Sequence, residues 1–221
     1  GKGIPVRKFV PAYEGNLRKH ALSVPRCISE CSGIRVFGRR IKSLVFSTDV
    51  AIIKNINADA IIAVYPFTPQ PAITQAIIGV SEVPVFCGVG GGLTNGVRSA
   101  SMAAYVEHQG AYGVVCNSKI GVETIHAIKD AVEIPVVYTV ISENTDIQPY
   151  LTAGVDIINV SGAARTPEIV GALRQRYPEL PIIATGGPTE ETILATIAAG
   201  ANAITYTPPT NGQLFAKDMH R

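Results

Sequence analysis

The sequence predicts an α/β protein folded as a single (β/α)8 barrel with an N-terminal arm and hairpin. Three observations predict it. Apolar runs of strand length alternate with helical segments; eight such units follow one another at roughly 20 to 25 residues, about one βα unit each. The third is size: 221 residues, 47% hydrophobic and 16% charged, suffice for one sizeable core and strain two domains. A (β/α)8 barrel typically takes about 250 residues, with about 200 as a lower limit. The competing architecture, a doubly wound open sheet, usually carries G-x-G-x-x-G after its first strand. GVGGGLTNG (88–96) comes nearest, but it follows the third strand and no acidic residue ends the next one.

Residues 1–33 show no clean period and read as an arm with a short helix, suited to plugging a barrel end or packing on another subunit. Residues 34–37, Gly38-Arg39-Arg40 and 41–47 read as a hairpin whose second strand continues into the barrel. The expected organisation is therefore arm and hairpin over 1–42 and barrel over 43–221, one structural domain overall. SLVFS (43–47) leads to a helix from Asp49, AIIAVYP (60–66) to one from Pro71, and VPVFCGV (83–89) to one near Asn95. GVVCN (113–117) precedes a helix to Val132, and IPVVYTV (134–140) one over 146–153. VDIINVSG (155–162) leads to a helix capped by Thr166 with Pro167 at its first position. PIIATGG (181–187) and NAITYTP (202–208) complete the set. The helix between these two is the most explicit: Thr189 caps it, Glu190 and Glu191 suit its positive end, Ile193, Leu194, Ile197 and Ala198 share a face, and Gly200 closes it.

A net charge of +2 lacks the basic patch or stripe of a nucleic-acid binder, so the expected partner is a small molecule. No apolar run approaches the roughly 20 residues of a membrane span, and no signal peptide is expected. Cys27, Cys31, Cys87 and Cys116 have no zinc-like spacing and are too few for a disulfide framework, which points to reduced thiols in a cytoplasmic protein. The low charge fraction and the apolar arm predict a homo-oligomer.

Ile182-Ile183-Ala184-Thr185-Gly186-Gly187, followed by a helix ending Ala198-Ala199-Gly200-Ala201-Asn202-Ala203, resembles the phosphate-binding group of (β/α)8 barrels. That group includes ribulose-phosphate epimerases, thiamin-phosphate synthase and the thiazole and histidine-pathway synthases. The resemblance implies a substrate phosphate held by the loops after the sixth, seventh and eighth strands, here Ser161-Gly162, Gly186-Gly187 and 207–210, with Thr185 beside them. Pro208 and Pro209 depart from the group's pattern: they have no N–H to donate, so a phosphate rests mainly on Ser161, Gly162, Gly186 and Gly187.

Catalytic groups of barrel enzymes stand at the C-terminal ends of strands and in the loops that follow. Asp49 there is a candidate general base, or else the N-cap of the next helix. Lys119 can form an imine or act as an acid, or simply be a solvated first-turn lysine. Glu143 can pair with either. Imine-forming barrel aldolases place their lysine inside the sixth strand, where this chain has Asn159. Asn117 and Asn159 are polar strand-end groups available to a substrate, and Gly90-Gly91-Gly92 either lets the backbone approach a ligand or hinges a lid. No histidine lies at a strand end, Cys87 and Cys116 read as buried inert thiols, and no metal-ligand cluster occurs. The expectation is a metal-independent enzyme, without cofactor, acting on a phosphorylated or anionic metabolite as an isomerase or epimerase, lyase or hydrolase. Two alternatives stay open: an FMN-dependent oxidoreductase and a non-enzymatic ligand-sensing barrel.

Overall fold

The computed structural model describes residues 2–219; Gly1, His220, Arg221 and the side chain of Arg18 lie outside it. A two-stranded antiparallel hairpin, β1 (Ile34–Val36) and β2 (Arg39–Ile41), precedes the barrel. The barrel strands are β3 (Ser43–Phe46), β4 (Ala60–Ala63), β5 (Val85–Gly90), β6 (Gly113–Cys116), β7 (Val136–Val140), β8 (Ile157–Val160), β9 (Ile182–Thr185) and β10 (Ala203–Tyr206). All pair in parallel with their sequence neighbours, and β10 closes on β3. The helices are α1 (Val50–Asn55), α2 (Pro71–Val80), α3 (Gly96–Gln109), α4 (Val122–Ala131), α5 (Gln148–Ala153), α6 (Thr166–Arg176), α7 (Glu190–Ala199) and α8 (Asn211–Met219). The expected eight-unit barrel is therefore the observed one. Among the described residues, no helix is long and apolar enough to cross a membrane.

Strand alternation divides the core in two. Leu44, Ala60, Ile62, Phe86, Val115, Val137, Ile157, Ile183 and Ala203 fill the barrel, and Val36 and Ile41 of the hairpin join them. The outward residues of the same strands, with one face of each major helix, form the larger layer around it. Gly113 is fixed by this packing, since a Cβ there would come within 2.5 Å of the Phe86 ring. The hairpin, rather than the arm, plugs the N-terminal end. The first half of the arm stands away from the fold: Ile4, Val6, Phe9, Tyr13 and Leu17 are almost fully exposed. It joins the fold at Leu22, which bridges to Ile56, and at Ile28 and Cys31, which enter the outer layer.

Two boundaries differ from expectation for identifiable reasons. The hairpin does not run unbroken into the barrel, because Lys42 changes partners: its carbonyl accepts from Ile204 N at 2.9 Å and its N–H donates to Asp59. Thr166 does not cap α6 but begins it, after a 3-10 turn over Ala163–Arg165, and its hydroxyl accepts from Gly162 N instead.

A recurring device secures the N-terminal rim. The residue just before a strand receives the first N–H of the preceding strand: Asp59 accepts from Lys42 and Ser43, Asp156 from Val136, and Asn202 from Ile182. These side chains satisfy donors that the barrel's stagger leaves without a ladder partner. Lys129 Nζ also reaches Asp156 at 2.8 Å, but that pair is more than a third exposed and weak on that account. Asp156→Ala is accordingly expected to cost about 1–3 kcal/mol in denaturant unfolding, for the orphaned N–H, and Lys129→Ala less than about 1 kcal/mol. Equal losses would assign the effect to the salt bridge.

Candidate functional site

The inward residues change character toward the C-terminal ends of the strands, where a cavity of about 820 Å³ opens. On the β3–β6 side its wall is largely apolar: Phe46, Ile62, Val64, Gly88, Gly90 and Val115. On the β7–β10 side every position that lines it is polar: Thr139, Asn159, Ser161, Thr185, Thr205 and Thr207. The register pairs Thr139 directly with Asn159, and Thr185 with Thr205. The cavity wall is thus split into a largely hydrocarbon side and a hydroxyl-amide side. Of the lining residues only Tyr65 is ionisable, and its hydroxyl accepts from Gln70 N at 2.8 Å to close the loop after β4.

Two floor atoms have no partner. Asn159 Nδ2 donates to Thr139 Oγ1 at 3.3 Å, which leaves Asn159 Oδ1 buried and unbonded; Thr205 Oγ1, in a residue 7% exposed, is unbonded as well. Buried polar atoms are rarely left so, and both belong to residues that line the cavity. The rim carries the opposite feature, because Phe67 and Leu93 stand exposed on the loops after β4 and β5.

The loops after β5 and β6 lock together. Gly90, Gly91 and Gly92 all have positive φ, at 137°, 120° and 64°, so the triple glycine is a conformational requirement. Gly91 exchanges backbone hydrogen bonds with Thr94, Gly90 O accepts from Asn117 N at 3.1 Å, and a Cβ on Gly91 would collide with the Asn117 amide. Asn117 Oδ1 in turn accepts from Lys119 N at 3.0 Å. From behind, Tyr138 and Tyr150 stack with centroids 4.0 Å apart, and their hydroxyls donate to Ser118 O and Ile120 O. Burial, and then Tyr150, push the Tyr138 phenol well above its ordinary value, so it stays a donor.

Of the residues singled out in the sequence, Gly90, Gly91, Asn117, Asn159, Ser161 and Thr185 line the cavity. Gly162, Gly186 and Gly187 stand behind it; Gly162 N and Gly186 N donate to Thr166 Oγ1 and Thr205 O, so neither is free for an anion. Asp49 caps α1 through Oδ1, bonded by Ala51 N and Ile52 N, while Oδ2 accepts from Asn211 of α8 at 2.6 Å. Glu143 is salt-bridged to Arg165 across the loops after β7 and β8, and raises the pKa of that guanidinium. Lys119 is exposed two residues beyond the lining residue Asn117 but does not itself line the cavity, and its Nζ makes no hydrogen bond or ion pair among the described residues. Burial raises Cys87 and Cys116 to about 12, consistent with inert thiols. Among the described residues, no group of three or more His, Cys, Asp or Glu side chains is placed to hold a metal. Thr139 and Thr205 were not singled out; the available signal was a polar residue at inward parity near the end of consecutive strands.

No family model and no curated protein matches the chain. Solved structures do. A Burkholderia cenocepacia J2315 protein assigned as a phosphonomutase aligns at TM-score 0.63 and 17% identity, over 84% of this chain and 92% of that one. Phosphonopyruvate hydrolase, in complex with oxalate and Mg++, aligns at 0.63 and 16%, over 84% and 81%. Mandelate oxidase with benzoyl-formic acid aligns at 0.64 and 14%, over 80% and 68%. The fold is therefore a TIM barrel, and identities this low show the fold alone.

Gly91→Ala tests whether this mouth is as rigid as its bonding implies. Left-handed strain and the Asn117 collision together are expected to lower stability by about 1–3 kcal/mol. Gly92→Ala meets no neighbouring atom and is expected to cost less. Calorimetric unfolding of both variants makes the comparison.

Proposed function

We propose that the protein is a small-molecule enzyme whose active site is the cavity at the C-terminal end of the barrel, acting on an anionic metabolite. The observation that carries this is the pair of unbonded floor atoms, Asn159 Oδ1 and Thr205 Oγ1, beneath an open cavity of about 820 Å³. Its position supports an enzyme, since barrel enzymes work at this face, and the structurally similar proteins named above are enzymes by their names.

Within this reading Lys119 supplies the charge. Asn117, which lines the cavity, fixes its backbone, and its ammonium has no partner among the described residues, so it neutralises the anionic group of a ligand whose body lies below. Asp49 and Glu143 position rather than react: one ties α1 to α8, the other ties the loops after β7 and β8. The chemistry belongs among proton transfer, carbon–carbon lysis and hydrolysis. A resident divalent metal does not fit the lining, which offers no carboxylate, thiol or imidazole ligand. The lining does not favour a flavin either, because it offers no cation to meet charge developing near N1 of a reduced flavin.

Mandelate, benzoylformate and phosphonopyruvate are suitable first probes, by thermal shift and then by turnover. At least one is expected to stabilise the protein. Lys119→Ala is expected to weaken that binding about tenfold, the worth of one charge-assisted contact, and Ser161→Trp to abolish it by filling the cavity. No shift with any of the three, or a shift unaltered by Ser161→Trp, would sink the assignment.

The exposed apolar arm supports a homo-oligomer in which the arm packs on a second copy, and the four free thiols support a cytoplasmic protein. Light scattering is expected to give a multiple of the 23.3 kDa chain mass, reverting to the monomer when residues 1–17 are removed. A monomer for the 221-residue chain with its arm intact would contradict this.

A further inference from the structure

The geometry points to a ligand of defined polarity: an amphipathic molecule whose buried end is uncharged and donates a hydrogen bond, whose body is apolar, and whose anionic group stays at the rim. This deepens the assignment of the cavity as the active site and rests on it.

Three observations converge. The floor is neutral, since no lining residue carries charge, so a carboxylate or phosphate lowered onto it would be desolvated with no counter-ion. The floor is nevertheless polar and incomplete. Thr205 Oγ1, in a residue 7% exposed, and Asn159 Oδ1 are buried without partners in two residues that line the cavity. Asn159 Nδ2 is already given to Thr139 Oγ1, which leaves the amide oxygen as an acceptor. The complementary ligand group is therefore a hydroxyl or an N–H, and the Thr205 hydroxyl can accept from it or donate to it.

The third observation is the division of the wall. Phe46, Ile62, Val64 and Val115 face the hydroxyl-bearing strands across the cavity, and Phe67 and Leu93 continue the apolar side past the mouth. A wholly polar metabolite, such as a sugar phosphate, would leave this side in contact with its hydroxyls and gain nothing from it. A ligand with an aromatic or branched aliphatic body buries that side at about 25 cal/mol per Å² of apolar surface.

One ligand skeleton with interchangeable ends provides the test. 4-(Hydroxymethyl)benzoate can place its hydroxyl on the floor and its carboxylate at the rim; terephthalate must bury one carboxylate. Isothermal titration at neutral pH is expected to show the hydroxymethyl compound binding at least about tenfold more tightly. Thr205→Val, which keeps the shape, is expected to cut that preference about five- to tenfold. Lys119→Ala is expected to weaken 4-(hydroxymethyl)benzoate and to leave benzyl alcohol unchanged, which separates the rim contact from the floor contact. Terephthalate binding as tightly as its partner, no binding of 4-(hydroxymethyl)benzoate, or a preference untouched by Thr205→Val would overturn the proposal. If terephthalate binds and Ser161→Trp abolishes it, the cavity remains the site and only its polarity is misassigned. If Ser161→Trp leaves binding intact, the site itself is elsewhere.

Discussion

Closure of β10 onto β3 is the constraint on which the rest of the structure depends. Once Ile204 pairs with Ser43, and Thr205 with Leu44, each barrel strand has two neighbours and no edge, and the direction of each side chain is set by parity alone. Every second residue must enter the barrel. At the N-terminal end those positions are filled from Val36 and Ile41 of the hairpin, and in the middle by Leu44, Phe86 and Ile157. At the C-terminal end they no longer meet across the axis, and the cavity follows. Its two-sided character is inherited from the same rule: β7–β10 place Thr139, Asn159, Thr185 and Thr205 inward, and β3–β6 place hydrocarbon there.

The mouth has a second source of order. Its loops are held less by packing than by directed bonds: Tyr65 to Gln70, Gly91 to Thr94, Asn117 to Gly90, and the Tyr138 and Tyr150 hydroxyls to the chain that carries Lys119. Such bonds fix the positions of backbone atoms while leaving side chains such as Phe67, Leu93 and Lys119 free at the rim. A site built this way is preorganised at its floor and adaptable at its entrance, a division suited to recognising one end of a ligand closely.

Strand-length apolar runs at a regular interval made the barrel legible, and the two ends of the helix between Thr189 and Gly200 were legible to the residue, although its buried face is Ile193 and Thr196, with Ala198 exposed. Thr189 does cap α7, in a reciprocal box with Thr192. The N-terminal rim was not readable because it is a cross-strand device: Asp59, Asp156 and Asn202 act on the first N–H of the preceding strand, far away in sequence. The candidate site was half visible. Asn117, Asn159, Ser161 and Thr185 stood out as polar groups at strand ends. Thr139 and Thr205 did not, since a threonine in a strand is ordinary unless its inward direction is known. Asp49 and Glu143 are the conspicuous strand-end carboxylates, and both are engaged in contacts between elements that only the structure shows.

The central claim is that an uncharged floor receives an uncharged ligand end. The most direct measurement is electron density for the protein purified without added ligand, with native mass spectrometry of the same sample. The account predicts a bound molecule with a hydroxyl or N–H within hydrogen-bond distance of Asn159 Oδ1 and Thr205 Oγ1, its apolar part against Phe46, Ile62 and Val64, and any anionic group near Lys119. A phosphate or carboxylate seated directly on Asn159 and Thr205, or a retained metabolite bound outside the cavity, would contradict it.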